Sequence, residues 1–347
     1  MSREPHLFAG AENALQPAGE LLAEALRTSW ERFVEQDALV RQLERKLHTD
    51  VGGRWDGVGD GSGVGGCPTG GGYLVGGGQV EHERIEAVHQ ARVALRRIRS
   101  NMRVASPLLE KAWSTAVVED LSWYAARLGA VRDWDVLDAR LRHAGSDLRS
   151  LASPAELASF EAGLACILQY LDDERRAARD VLSAARTALR LVRLKELMSE
   201  HLDEAVLAEI ASGRAGDVMP PLISKQWRGL ASLAGAAIDE PEDRALHAIR
   251  VRVKRVRYAS EIMGPAPGGD LRRFSRSAAR LQDVLGEWHD SSVSRDWLRT
   301  TSSKLPPVAT FVAGELSVAE AESALSSRAR WPEAWSALKG LGKKLFR

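Results

Sequence analysis

The chain has 347 residues, room for one large domain or two ordinary ones, and its 44% hydrophobic and 27% charged content is that of a soluble globular protein. No apolar run approaches the ~20 residues that a membrane helix needs, and the opening MSREPHLFAG lacks the charged-then-apolar pattern of a secretory signal, so a soluble, cytoplasmic protein is expected. The formal net charge of +1 gives no overall sign of a polyanion partner, so any basic site has to be local.

In chain order, residues 1–20 carry no periodic pattern and read as a flexible N-terminus. Leu21 to Leu47 then predicts a helix, because Leu22, Leu26, Trp30, Phe33 and Val34 recur at spacings of three and four. A stretch that is nearly half glycine follows, giving a disordered insert at about 51–80; glycine loses the most backbone entropy on folding. It is no phosphate cradle, since no strand precedes it and no GK[ST] ends it. From Glu81 the pattern is helical almost to the end, with breaks at Pro107, Gly129, Gly145 to Pro154, Gly213 to Pro221, Asp239 to Pro241, Gly264 to Gly269 and Leu305 to Pro307. Pro154 to His201 fits one very long helix or two shorter ones. Almost no stretch shows the alternation of a strand, so the fold class is all-α. The two cysteines, Cys67 and Cys166, offer neither a disulfide framework nor a metal-ligand spacing.

The chain repeats itself. His89, Arg92, Val93, Arg96, Arg97 and Arg99 are matched by His247, Arg250, Val251, Lys254, Arg255 and Arg257, 158 residues later. A second pair supports the first: Leu128-Gly129 with Asp133 lies 39 residues past His89, and Leu285-Gly286 with Asp290 lies 38 past His247. Two matched blocks at matched spacing predict two copies of one helical unit, the first at about 21–200 and the second at about 201–347.

Helical geometry sorts these residues. On a wheel turning about 100° per residue, Arg92, Arg96, Arg99 and Arg103 fall within roughly 80° of His89. Val88, Leu95, Ile98 and Met102 centre on a neighbouring face. The basic stripe is about 21 Å long. The second copy gives the same wheel, with His247, Arg250, Lys254 and Arg257 beside Leu246, Ile249, Val253 and Val256. No acidic residue occurs from Ala245 to Ser260. A merely solvated face mixes signs at i, i+4, whereas these are like-charge neighbours, each costing about 0.2–0.5 kcal/mol in an isolated helix. The double occurrence points to an anionic ligand. Arginine outnumbers lysine on both stripes, and a guanidinium forks onto two phosphate oxygens. The histidines fit equally a phosphate donor oriented by Asp133 or Asp290 and a plain bundle-interface histidine.

The segments HQARVALRRIRSNMR, LGAVRDWDVL, LHAIRVRVKRVRYASEIMG and LQDVLGEWHDSSV resemble, in that order, the CHAD family, the conserved histidine α-helical domain. The resemblance covers about Leu21 to Leu298. It implies two pseudo-symmetric four-helix bundle units around a basic pore or cleft. It also implies non-catalytic binding of inorganic polyphosphate and association with polyphosphate granules; no cofactor, metal or membrane partner is expected from the residues themselves. Carried over by motif, the binding positions are His89, Arg92, Arg96, Arg97, Arg99, Arg103, His247, Arg250, Lys254, Arg255 and Arg257. Arg97 and Arg255 fall about 100° off the main stripes. Arg273, Arg276 and Arg280 are further candidate contacts, and Arg132 is an alternative structural ion-pair member. The glycine-rich insert departs from the family pattern. The triphosphate-tunnel domain that often accompanies the family is not found, for Glu81-His82-Glu83-Arg84-Ile85 lacks the lysine of its ExExK strand.

Two other functions compete. A metal-dependent phosphohydrolase would use His289-Asp290 with His89 and His247, but the eight histidines are scattered without metal-binding spacing. Asp290 reads more simply as the N-terminal acid of a following helix. A nucleic-acid module would interleave aromatics with its basic residues, whereas Trp123, Trp134, Trp288 and Trp297 fall in apolar patterns and are expected in the core.

Overall fold

A computed structural model describes residues 11–51, 78–201, 207–239, 241–262 and 269–346. Among the described residues there is no strand, in agreement with the all-α expectation. The helices are α1 (Ala11–Leu15), α2 (Ala18–Val51), α3 (Gly78–Val104), α4 (Lys111–Leu151), α5 (Pro154–Thr187), α6 (Leu189–His201), α7 (Ala215–Ala236), α8 (Asp243–Ile262), α9 (Asp270–Thr301) and α10 (Pro307–Leu345). Helical structure starts before residue 21, at α1 and then Ala18. Most of the expected disordered insert lies outside the described residues; at its edges Val51 ends α2 and Gly78 to Val80 open α3.

The boundaries follow local chemistry. Glu110 caps α4, its carboxylate accepting from the backbone N–H groups of Ala112 at 2.9 Å and Trp113 at 2.6 Å. Ser153 and Glu156 form a capping box at α5, with Pro154 in the first turn, where its missing N–H costs nothing. Pro154 to His201 is two helices, parted by extended backbone at Ala188. One expected break is absent: Gly129 sits inside the 41-residue α4. The break expected at Gly213 to Pro221 falls at its start, where Gly213 and Arg214 are extended and α7 begins at Ala215, so Pro220 and Pro221 lie within α7. A lone helical glycine costs only about 1 kcal/mol, which packing along α4 offsets.

Helices α2 to α5 pack each on its successor, and so do α7 to α10. The halves join where α3 crosses α8 and where α10 lies on α5. The main core draws on both halves, from Leu22, Leu26 and Phe33 of α2 through Leu95 and Ile98 of α3 to Val253 and Val256 of α8. A smaller core joins Leu137 and Leu141 of α4, Ile167 and Leu171 of α5, and Val312 and Leu316 of α10. Val34 is 37% exposed, so Phe33 alone of that pair faces inward. Trp288 is buried, and Trp123, Trp134 and Trp297 pack partly buried against the cores, as their apolar patterns predict. Cys166 is buried in the smaller core, and Cys67 lies outside the described residues.

Candidate polyanion site

The apolar faces of α3 and α8 set the site. Val88, Leu95, Ile98 and Met102 are buried on α3, and Leu246, Ile249, Val253 and Val256 on α8. Burying these stripes turns the adjacent basic stripes toward each other across the crossing. His89, Arg92 and Arg96 of α3, Arg132, Asp133 and Arg140 of α4, Arg250 of α8 and His289 with Asp290 of α9 border a cleft of about 240 Å³.

Positive charge is crowded there. Burial, then Arg250, Arg96 and Arg92, push the Lys254 amine down to about 7 from an ordinary 10.5. Burial and Arg250 push His289 down to about 4. His89 is lowered by burial and by Arg132. Arg250 is lowered by burial against the partial compensation of Asp290, whose Oδ1 is 3.9 Å away, and its buried Nε has no hydrogen-bond partner. Burial raises the Asp290 carboxyl. Arg92 Nη1 donates to Asp133 Oδ1 at 2.7 Å. Arg132 makes no ion pair within 4 Å among the described residues, so it faces the cleft as an open cation rather than as a structural partner.

The remaining predicted positions spread outward. Arg99 is lowered by burial and by Arg103, and Arg255 by burial, Arg103 and Arg252, so these four arginines gather outside the residues that line the cleft. Arg97 Nε lies 3.4 Å from Glu261, and Arg257 Nε donates to the same carboxylate at 3.1 Å, which ties both to structure. His247 is exposed, its ring 5.4 Å from that of His289. Arg273, Arg276 and Arg280 are exposed on α9 away from the cleft, with Arg273 3.8 Å from Asp270. Asp290 is not at a helix start: α9 runs unbroken through it, so it acts as a cleft acid instead.

Two residues were invisible to motif reasoning. Tyr258 accepts a hydrogen bond from Arg96 Nε at 2.9 Å and lies under the guanidiniums of Arg96, Arg97 and Arg257. Arg140 closes the cleft floor by donating to Glu287 at 2.8 Å, Ser291 at 2.7 Å and Glu320 at 2.5 Å. Tyr258 falls on the basic side of α8 but carries no charge of its own, and Arg140 has no partner near in sequence. Among the described residues no group of three histidine, cysteine, aspartate or glutamate side chains is placed to hold a metal ion, and no helix is long and apolar enough to cross a membrane.

Comparison with known proteins bears on the family and the fold. The family model described as CHAD domain matches residues 77–299. Two Mycobacterium tuberculosis proteins, from strains CDC 1551 and H37Rv and both described as uncharacterised, are 33% identical over 230 residues, 63% of this chain. The match covers 41% of those relatives, so this chain spans well under half their length. The fold is similar to PptA from Streptomyces chartreusis, with a TM-score of 0.65 at 18% identity over 92% of this chain and 100% of that one. It is also similar to the CHAD domain of the plant Ricinus communis, with a TM-score of 0.62 at 20% identity over 98% and 97%.

Proposed function

This chain belongs to the CHAD domain family, and from that premise we propose that it binds inorganic polyphosphate, without catalysis, in the cleft where α3 crosses α8. The observation that carries the reading is the convergence of Arg92, Arg96, Arg132 and Arg250 on one cleft, beside Lys254, whose amine burial and then Arg250, Arg96 and Arg92 push down to about 7. A cluster that cannot neutralise itself is relieved by an anion that brings repeated charge. A linear phosphate chain presents that charge on a thin backbone, and half-buried walls focus the potential along it. Affinity comes from many guanidiniums engaging one chain. His89 and His289, neutral at pH 7, donate single hydrogen bonds. Arg99, Arg103 and Arg255 extend the track beyond the cleft, and Arg273, Arg276 and Arg280 are outer contacts. The unit so defined runs from about 21 to 347 as two matched repeats, and it targets its protein to polyphosphate granules.

The test is competition. Long-chain polyphosphate and single-stranded DNA, matched in total charge, are titrated against the protein at ~150 mM salt, where weak surface attraction is screened. Tight binding of polyphosphate with poor competition by DNA is expected. Equal binding of both would replace this reading by a generic polyanion or nucleic-acid surface. Arg96→Glu with Lys254→Glu is expected to abolish binding, and the milder Arg96→Gln with Lys254→Gln to weaken it at least tenfold. Circular dichroism checks that both remain helical. Unchanged binding in the folded variants would remove the site.

A further inference from the structure

Helix α10 is apolar on two opposite faces. Its core face, through Ala309, Leu316, Ala324 and Trp331, is buried in the bundle. On the reverse face Phe311, Val318 and Leu325 fall within about 40° of one another on a helical wheel. There they are 70%, 61% and 67% exposed. A helix that is apolar on both sides is ordinarily covered on both. Single exposed apolar residues are common, but these three recur every seven residues, the spacing of a helix–helix seam. The stripe also runs into a groove of about 490 Å³ between α10 and the α4–α5 turn. Leu151, 81% exposed, borders that groove with Val308 and Phe311, over buried Phe160 and Val312. From this face we propose that two copies of the chain associate, with their α10 helices antiparallel.

The area and the shape of the face both fit a second copy. Phe311, Val318, Leu325 and Leu151 expose on the order of 500 Å² of apolar surface, at the upper end of the roughly 300–600 Å² of a monomer's largest patch. With Val308 and the polar rim, the face approaches the roughly 800 Å² per partner of a stable pair. Large and small residues alternate along it, because Gly314 and Ala321 lie between the large ones. An antiparallel pair sets Phe311 over Ala321 of the second copy and Val318 over its Gly314. Both pairs are centred on residue 316, so one two-fold axis at the level of Leu316 satisfies both. That reciprocity is what an isologous interface requires. The same axis brings Leu325 of the second copy level with Pro307 and Val308, at the mouth of the groove. A parallel pair would instead set Gly314 on Gly314 and leave a gap there. Glu315 and Glu322 flank one edge, level with Ser317 and Thr310 of the second copy, so no acid stands level with another acid.

Sedimentation equilibrium of the intact chain, up to about 100 µM, is expected to show a reversible dimer with a micromolar dissociation constant. Val318→Lys is expected to keep the protein monomeric while its circular dichroism and thermal transition stay in place. Gly314→Leu tests the antiparallel register. A Cβ at Gly314 meets nothing within 4 Å inside one chain, so the fold accepts the change. The new side chain adds apolar surface but fills the hollow that receives Val318, and it is expected to weaken the dimer about tenfold or more. Three results would overturn the proposal: a monomer across the whole range, a dimer that survives Val318→Lys, or a Gly314→Leu dimer as tight as the wild type. None of them bears on the polyanion cleft, which no residue of this face lines.

Discussion

The Nε of Arg96 donates to the hydroxyl of Tyr258 at 2.9 Å, so a stripe residue of α3 is held by a buried residue on α8. This bond fixes one guanidinium at the crossing of α3 and α8 and leaves its other nitrogens for a ligand. Tyr258→Phe removes the acceptor and keeps the ring that packs beneath the arginines. It is expected to cost about 0.5–1.5 kcal/mol in urea denaturation. The slope of log affinity against log salt is expected to stay unchanged, because that slope counts cations and none is lost. Arg96→Gln, by contrast, should flatten it by about one charge. Equal slopes for the two variants would show that Arg96 does not meet the polyanion.

Two aspartates two residues apart on α4 make a second contrast. Asp133 is 65% exposed and holds Arg92 at the cleft edge; the Asp135 side chain is fully buried and accepts from Arg84 at 2.9 Å and Arg175 at 3.0 Å. Asp135→Asn leaves two buried guanidiniums short of countercharge, and a loss of about 3–5 kcal/mol is expected. Asp133→Asn breaks an exposed pair worth roughly 0–1 kcal/mol, and it frees Arg92 to meet a ligand. Denaturation midpoints and polyphosphate titration together check both: Asp135→Asn should lower the midpoint, and Asp133→Asn should tighten binding.

That contrast marks what the sequence carries. Periodicity exposes the stripes because a helical face is a local property. Asp133 and Asp135 look alike in sequence, since burial depends on Arg84 and Arg175, which lie 51 and 40 residues away. Glu81 and Arg84 were legible only as a failed ExExK match, yet Arg84 Nε donates to Glu81 at 2.8 Å in a buried ion cluster. Tyr258 and Arg140 likewise acquire their roles only when α3 meets α8 and when α4 meets α9 and α10. Gly129 misled as a break, because helix length is decided by packing over 41 residues and not by one propensity.

Close packing near the C-terminus gives a stability prediction. A Cβ at Gly342 would fall 2.2 Å from the ring of Trp227, which is 3% exposed, whereas a Cβ at Gly340 meets nothing within 4 Å. Gly342→Ala forces the indole from its place and is expected to cost about 1–3 kcal/mol. Gly340→Ala, in the same helix, is expected to add up to about 1 kcal/mol through helix propensity. Thermal melting of the two variants should move in opposite directions.

The cleft also predicts how binding depends on pH. Lys254 faces Arg250, Arg96 and Arg92, with Asp290 as its partly compensating acid, and its amine sits at about 7 in the free protein against an ordinary 10.5. Between these values the unfolded chain holds a proton that the native chain lacks. Stability of the free protein therefore rises with pH across that window, and below about 7 the native state bears the full cost of the charged amine. A bound polyanion reverses the preference, because the protonated amine then has a counter-charge. Binding above pH 7 must take up a proton, and affinity is expected to fall as pH rises from about 7 to 9. His289, held near 4, stays neutral throughout this range and contributes no slope. Lys254→Arg keeps its charge at all these pH values and should flatten the profile while preserving tight binding. Titrations at pH 6, 7.5 and 9 decide the matter; a wild-type profile as flat as that of Lys254→Arg would place the amine outside the ligand's path.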